Sequence, residues 1–205
     1  FIKAGEIITD SKNNIYVTDD YAFSIKKFSP KGLLLNEFGR RGKRDGEFNA
    51  FLFRLICSND TLAVSELGGA RVQFFSSDWK FINAFSVAGT IVDIAFDKKG
   101  RMYTSIMPFD QKEGYVLLYD KKGRFITTVV RGGPSNKHGL NMSQLAVDRN
   151  NNLVIANHFM NQIEVYDEHQ KNIAKFKVHG LPDQSVTIQS QYKEIGSVPQ
   201  GEIIK

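Results

Sequence analysis

Residues 10–48 read DSKNNIYVTDDYAFSIKKFSPKGLLLNEFGRRGKRDGEF, and this segment predicts the fold of the whole chain. It contains a polar turn, a short strand, a loop, a second strand, another polar turn, a third strand and a Gly-rich basic connection. Asn, Asp and Gly in the turns tolerate the left-handed backbone conformations that tight hairpins require. The segment therefore predicts a meander of short antiparallel strands.

The same order of turns and strands recurs three more times, at intervals of 47, 40 and 51 residues. The first residues of the recurring strand are Ile15, Leu62, Met102 and Leu153. Five residues before this strand an Asp stands in three of the units, and Cys57 stands in the second. A repeat of this length is typical of propeller blades and solenoids.

Each unit contains four predicted strands, most of them apolar on both faces, which favours sheets covered by neighbours on both sides. The predicted strands are 6–9, 15–17, 25–28 and 33–38; 52–56, 62–64, 72–75 and 81–85; 91–96, 102–104, 115–119 and 125–130; and 145–147, 153–155, 163–166 and 173–178. The pattern predicts an all-β fold, a β-propeller of four-stranded antiparallel blades. A β-sandwich is the alternative, but it does not explain the turns at a fixed offset.

The units predict a single domain over residues 1–205. Their expected bounds are 1–48, 49–87, 88–139 and 140–180. In the remaining tail, 181–205, the sequence GEII at 201–204 repeats the GEII at 5–8. We expect the tail to begin a further blade of a longer propeller. The alternative is a closed four-bladed ring in which the tail supplies a missing strand of the first blade.

Composition narrows the class of protein further. The 205 residues are 41% hydrophobic and include sixteen Phe, enough for a packed core in which aromatic side chains fill the space between blades. The net charge of +5 is too small to indicate nucleic-acid binding by itself. Cys57 is the single cysteine, so an internal disulfide is excluded. No apolar run is long enough to predict a membrane span.

The compartment and the oligomeric state stay open. The sequence begins with Phe1 rather than Met, so we expect that an N-terminal segment was removed. If that segment was a signal peptide, a secreted or periplasmic location follows.

The connection after the first unit resembles that of the NHL repeat, the building unit of a group of six-bladed propellers. The residues that match its Gly-x-x-Gly and Asp-Gly-x-Phe pattern are Gly39, Gly42, Asp45, Gly46 and Phe48. In that repeat an acidic residue ends one strand and an Arg follows five positions later, a spacing matched by Glu66 and Arg71. The resemblance covers residues 5–178 and implies about four blades of a six-bladed ring.

The acid–Arg pattern is incomplete in the other units. The acidic position holds Asp19 in the first unit and Asn157 in the fourth, and in the third it falls near Ile106. The Arg position holds Ser24 in the first unit and Gln162 in the fourth. We interpret Glu66 and Arg71 as an ion pair that staples a hairpin. The alternative is ligand binding at the channel mouth, for which the candidates are Asp19, Glu66, Arg71, Asn157 and His158.

The resemblance also raises enzymatic alternatives, because the wider family includes protein-binding modules, RNA-binding modules and a metal-dependent amidating lyase. The lyase needs several His around one zinc, but the four His, at 138, 158, 169 and 179, lack any paired ligand spacing. Related calcium-dependent lactonases use a Glu, Asn and Asp set, and Glu66, Asn157 and Asp19 hold equivalent repeat positions. We expect no catalytic residue, no metal site and no cofactor.

A cluster of basic residues is the sharpest feature of the connections. Arg40, Arg41, Lys43 and Arg44 fall within five residues, and Arg131 and Lys137 lie in the equivalent connection after the third unit. Blade connections gather on one face of a propeller, so the two clusters predict a basic patch. A solvated loop, a site for a protein or anionic polymer, and an RNA site are the three interpretations. RNA would also need exposed aromatic rings, whereas Phe48 and Phe51 are predicted to be core.

These observations favour a non-catalytic binding or scaffolding module that holds a protein, a polymer or a small ligand on its connecting loops. A metal-dependent hydrolase or lyase with its site in the central channel is one alternative, and RNA or anionic-polymer binding through the basic loops is another.

Overall fold

The computed structural model describes residues 2–50, 52–58, 61–66, 70–87, 89–108, 114–131, 143–157 and 161–178, and in these residues it contains four sheets of four antiparallel strands. The strands are β1 Ala4–Thr9, β2 Ile15–Asp19, β3 Ser24–Phe28 and β4 Leu34–Phe38; β5 Leu52–Ser58, β6 Thr61–Glu66, β7 Arg71–Ser76 and β8 Phe81–Ser86; β9 Thr90–Phe96, β10 Met102–Met107, β11 Tyr115–Tyr119 and β12 Phe125–Arg131; and β13 Ser143–Val147, β14 Leu153–Asn157, β15 Gln162–Tyr166 and β16 Asn172–Lys177.

The predicted all-β propeller of four-stranded blades is confirmed. Within each sheet the strands follow one another in sequence order, as the meander requires. Every predicted strand is present, and most differences are extensions, such as that of β2 to Asp19. The first blade already has its four strands within residues 4–38, so it lacks no strand for a tail to supply.

The blades stack through their faces, and large aromatic side chains fill the interfaces. Between the first and second blades the Phe38 and Trp79 rings stack with centroids 5.1 Å apart. Between the second and third, Phe85 stacks on Tyr119 at 4.8 Å. The third and fourth blades share a smaller aliphatic core around Tyr103. This packing confirms the predicted role of the aromatic residues between blades.

One end of the blades carries the turns between first and second strands and between third and fourth strands, and we name this end the turn face. Its described turns are 10–14, 29–33, 76–80, 97–101, 120–124, 148–152 and 167–171. In each, the amide of the fourth residue donates to the carbonyl of the first at 2.9 to 3.0 Å, and the fourth residue has a positive φ. Asn and Gly occupy this position in five of the turns, including Asn13 at φ 61° and Gly100 at φ 73°, as their tolerance of left-handed backbone predicts.

The opposite end, which we name the loop face, carries the connections between blades and the loops between second and third strands. Its described residues include 20–23, 39–50, 87 and 89. No helix in the described part of the chain is both long and apolar enough to cross a membrane.

Candidate functional site

The basic connection 39–48 is a closed loop rooted in the core. Phe48 is fully buried and packs edge-on against Phe38 and Phe75. The Phe48 amide donates to the Arg40 carbonyl at 2.9 Å, and the Gly42 amide donates to the Phe48 carbonyl at 3.0 Å. Gly39 has φ 93°, and a Cβ there would lie 2.6 Å from the Phe48 ring, so glycine is required at this position.

Side chains of β7 fix the backbone of this connection. Arg71 Nη2 donates to the Glu47 carbonyl at 2.7 Å, and Arg71 Nη1 donates to the Lys43 carbonyl at 3.2 Å. The Gln73 amide group donates to the same Glu47 carbonyl at 2.8 Å and accepts from the Gly46 amide at 3.0 Å. The second blade therefore holds the backbone of the connection in one geometry, while the basic side chains of the connection lie at the surface.

Glu66 and Arg71 form the pair that the NHL-like spacing predicts as a hairpin staple. Arg71 Nε donates to Glu66 Oε1 at 2.7 Å across the loop between β6 and β7. The other oxygen of Glu66 accepts from the amides of Asn49 and Ala50 at 2.6 and 3.1 Å. Glu66 is 1% exposed, so this carboxylate joins the hairpin to the connection that precedes the blade.

In the first blade, Asp19 likewise joins the hairpin to the segment that precedes the blade, and its cation is Lys26 instead of an Arg. Its oxygens accept from the amides of Ile2 and Lys3 at 2.9 and 3.0 Å and from Lys26 Nζ at 3.0 Å. Burial raises the pKa of Asp19, but these hydrogen bonds outweigh it and hold the pKa well below its usual range. Lys26 also contacts Glu37 at 2.8 Å.

Lys26 was not predicted from the sequence, because only the residue equivalent to Arg71 was considered as the cation. In the first blade that residue is Ser24. Residues two apart on a strand point to the same face, so Lys26 was a detectable substitute for the missing Arg.

The third and fourth blades lack a charged staple at this position in the described residues. Ile106 is buried among apolar neighbours. Asn157 is buried at the end of β14, where it pairs in register with Gln162. The Gln162 amide group donates to Glu164 at 2.5 Å. His158, the remaining channel-mouth candidate, lies outside the described residues.

The predicted basic residues differ in how they are held. Arg40 pairs with Glu47 at 2.8 Å, and Arg41 lies over the Phe23 ring at 5.4 Å. Lys43 and Arg44 are exposed. A shallow pocket of about 290 Å³ is formed by Phe38, Gly39, Arg40, Arg44, Asp45, Gly46 and Glu47.

The second predicted basic cluster is described only in part. Arg131 is exposed and lies over the Tyr115 ring at 5.2 Å. Lys137 lies outside the described residues, so the predicted joint patch with the first connection stays a prediction.

A second cavity, of about 410 Å³, lies at the innermost strands and contains an ion-pair network. Arg54 of β5 lies 3.1 Å from Glu6 of β1 and 3.0 Å from Asp93 of β9. Asp93 Oδ2 also accepts from the Leu145 amide of β13 at 2.8 Å, so the network reaches all four blades. Burial raises the pKa of Asp93 despite these partners.

The walls of this inner cavity do not include the channel-mouth candidates. Its lining residues are Glu6, Arg54, Ile56, Asp93, Ile94, Gln144, Leu145, Ala146, Val154 and Ala156. Sequence reasoning did not select any of them, because side chains from separate blades approach one another only when the sheets stack.

The His, Cys, Asp and Glu side chains of the described residues do not gather around a metal site. Within them, no three His, Cys, Asp or Glu side chains are close enough together to share a metal ion. His169 lies in a turn on the turn face, at the opposite end from the connections. The other three His, at 138, 158 and 179, lie outside the described residues.

Comparison with known proteins supports the fold. No model of a known protein family matches the chain, and no curated protein matches it. Among solved structures, virginiamycin B lyase from Staphylococcus aureus is similar with a TM-score of 0.65 and 13% identity, over 88% of this chain and 57% of that chain. The WD40 repeats of RRP9 are similar with a TM-score of 0.65 and 14% identity, over 84% of this chain and 50% of that one.

A protein of unknown function from Bacteroides caccae is also similar, with a TM-score of 0.59 and 16% identity, over 86% of this chain and 67% of that chain. The chain therefore spans little more than half of the lyase structure. At these identities the likeness shows a β-propeller fold, which an enzyme and WD40 repeats share.

Proposed function

We propose that this chain is a non-catalytic binding module of the NHL-like propeller type, and that its partner is an acidic segment of a protein held on the loop face. The observation that carries the proposal is the connection 39–48. Its backbone is anchored by Arg71 and Gln73, while Lys43 and Arg44 are exposed. A surface loop that a rigid blade holds in one geometry binds with little loss of conformational entropy.

The basic side chains of this connection suit carboxylate groups. Three of the four are Arg, whose planar guanidinium can donate two parallel hydrogen bonds to one carboxylate. The shallow pocket beside Arg40 and Arg44 provides a concave contact for such a group. RNA has few rings to stack on beside this connection, because Phe48 is buried and Arg41 lies over the ring of Phe23; Tyr21, in the neighbouring loop 20–23, is 54% exposed.

The proposal includes a single domain that belongs to a six-bladed ring. It is supported by the NHL-like connection and by apolar side chains on both terminal blades of the arc. Ile7 of the first blade is 64% exposed, and Phe176 of the fourth is 51% exposed. Further blades packed against these faces would cover them, as Phe38 and Trp79 cover one another between the first two blades.

The test is binding of a fluorescein-labelled polyglutamate peptide, followed by fluorescence polarisation. The variant Arg41→Ser/Lys43→Ser/Arg44→Ser removes the outward charges but keeps Arg40, whose contact with Glu47 supports the loop. We expect affinity for the peptide to fall on the order of tenfold or more. The matched control, Lys31→Ser/Lys121→Ser/Lys122→Ser, removes the same charge from the turn face. Equal weakening by both variants, or by neither, would contradict the proposal.

A second candidate function, an enzyme with its site in the channel, is favoured by the inner cavity. A buried carboxyl whose pKa is raised, such as Asp93, is a frequent feature of acid–base catalysts, although structural ion-pair networks show it too. Elemental analysis of the purified protein separates the two functions. Stoichiometric zinc or calcium would favour a metal-dependent hydrolase or lyase over the binding module.

A further inference from the structure

The turn face is a basic surface on which most acidic residues are turned inward. Asp10 Oδ1 accepts from the amides of Lys12 and Asn14 at 2.9 and 2.8 Å, two and four residues further along the chain. The same pair of hydrogen bonds recurs at Asp97, Asp120, Asp148 and Asp167. These carboxylates are therefore engaged by their own turns and do not project from the surface.

The cations of the same turns point outward. The exposed Lys and Arg of the turn face are Lys12, Lys31, Lys80, Lys98, Lys99, Lys121, Lys122, Arg124, Arg149 and Lys171. Three of them pair with carboxylates of the same face, Lys80 with Asp78, Lys99 with Glu168 and Arg124 with Asp120. The remaining seven outnumber the two most exposed acidic side chains of the described turns, those of Asp78 and Glu168. Most of these cations are Lys, in contrast to the Arg-rich connection of the loop face.

Large apolar side chains follow these basic turns in every blade. The outermost strand begins beside its turn, and near its start each blade exposes at least one bulky side chain, with Leu34, Leu35 and Ile126 also exposed. The most exposed of these in each blade are Leu33 at 68%, Ile82 at 53%, Phe125 at 57% and Ile173 at 52% exposure. A single exposed apolar residue is normal, but exposed apolar side chains near the start of the outermost strand in all four blades give a rim of them.

Hydrogen bonds and an ion pair between blades join the turns into one surface. Lys27 of the first blade donates to the Ser77 carbonyl of the second at 3.4 Å. Asn83 of the second donates to the Lys122 carbonyl of the third at 2.9 Å. Lys99 of the third pairs with Glu168 of the fourth at 2.6 Å. These contacts hold the turns of neighbouring blades side by side, so cations from four blades lie at one end of the molecule.

We propose that the turn face docks on the surface of an anionic lipid bilayer, with the Lys side chains at the headgroups and the apolar rim in the interface. Lysines beside exposed Leu, Ile and Phe are the combination that such a surface attracts, because charge and apolar burial both contribute. A nucleic acid would use the charge but leave the apolar rim in water. This surface lies at the end of the molecule opposite the proposed peptide site, and it is independent of that site.

The experiment is co-sedimentation of the chain with phosphatidylcholine vesicles, with and without phosphatidylserine. We expect binding only when phosphatidylserine is present, and weaker binding as salt increases. The variant Lys31→Ser/Lys121→Ser/Lys122→Ser should weaken it on the order of a hundredfold, since each Lys contributes about fivefold at an anionic surface. The variant Leu33→Ser/Phe125→Ser should weaken it about tenfold.

The loop-face variant Arg41→Ser/Lys43→Ser/Arg44→Ser is the matched control, and it should bind the vesicles as the parent chain does. Far-UV circular dichroism establishes that each variant is folded, and the salt dependence of the parent chain tests the proposal without any variant. Equal binding to neutral and anionic vesicles would overturn it. Retention on heparin without binding to phosphatidylserine vesicles would overturn it in favour of a polyanion site.

Discussion

The two ends of the blades use buried or half-buried carboxylates in different ways. On the loop face, Glu66 accepts from the amides of Asn49 and Ala50, seventeen and sixteen residues away in sequence. On the turn face, Asp10 accepts from the amides of Lys12 and Asn14, two and four residues away. One arrangement joins segments that meet only in the folded chain, and the other closes a single turn.

This difference determines what each carboxylate can stabilise. A carboxylate such as Asp10, which accepts from amides of its own turn, acts as a turn cap and stabilises one local conformation. The packing of neighbouring blades depends instead on their apolar faces. A staple such as Glu66 couples the hairpin to the blade connection, so its loss releases both. The predictions below test this contrast.

Replacing Glu66 with Ala should have the largest effect. Arg71 and two backbone amides would lose their buried partner, so we expect the free energy of unfolding to fall by about 3 kcal/mol. Urea denaturation measures the change, and hydrogen exchange should accelerate in the connection 42–50. The double variant Glu66→Ala/Arg71→Met removes the orphaned charge but also the donors to the Glu47 and Lys43 carbonyls, so it should stay destabilised. A destabilisation no greater than that of a turn cap would contradict the contrast.

Asp10 should have the next largest effect, visible as a pH dependence. Burial raises the pKa of Asp10, but the hydrogen bonds from Asn14, Tyr16 and Lys12 outweigh it and lower the pKa from 3.8 to about 2. Because the pKa is lower in the folded chain, the ionised carboxylate stabilises the fold when the pH is above the pKa of the unfolded chain. That stability is lost as pH falls from about 4 to about 2. The loss is about 1 to 2 kcal/mol, measured by urea denaturation across this range.

The variant Asp10→Asn is the control for this pH dependence, because it cannot take up the proton. Its stability should fall less than that of the parent chain over the same range. If the free energy of unfolding of the variant fell with pH as steeply as that of the parent chain, other carboxyl groups would produce the effect.

Replacing Lys26 with Met tests the staple of the first blade. Asp19 would lose one charged donor but keep the amides of Ile2 and Lys3, and Met preserves much of the side-chain volume. We therefore expect a loss of about 1 kcal/mol in urea denaturation, smaller than that for Glu66. A loss as large as that of Glu66→Ala would mean that the first blade depends on its cation as much as the second blade depends on its carboxylate.

Replacing Lys99 with Ala should have the smallest effect. Its pair with Glu168 links the third and fourth blades at 2.6 Å, but both side chains are largely in contact with solvent. An exposed ion pair contributes little, so the urea midpoint should stay within experimental error. A clear shift would show that contacts on the turn face, and not only the apolar cores, hold the blades together.

Much of the fold could be predicted because each blade repeats a local pattern. Asn13 and Gly100 occupy left-handed positions that their residue types favour, and the flanking apolar runs predict the strands. The ion pair of Glu66 and Arg71 could be predicted because the two residues are only five positions apart in the sequence. The contacts of Arg71 with the connection 39–48 could not, because they join segments separated by more than twenty residues.

The inner network of Glu6, Arg54 and Asp93 could not be predicted from the sequence at all. These residues stand on three different blades, and no spacing in the sequence relates them. Likewise, the sequence drew attention to the basic connection, whereas the folded chain also gathers lysines from separate turns onto one face.

The amino-acid sequence by itself determined the four-stranded unit, its repetition and its turns, because these depend on interactions between residues a few positions apart. Only the tertiary structure decided which carboxylates hold a connection, which residues line the inner cavity and which cations share a surface. These properties depend on the stacking of separate sheets, which brings together side chains that are distant in sequence.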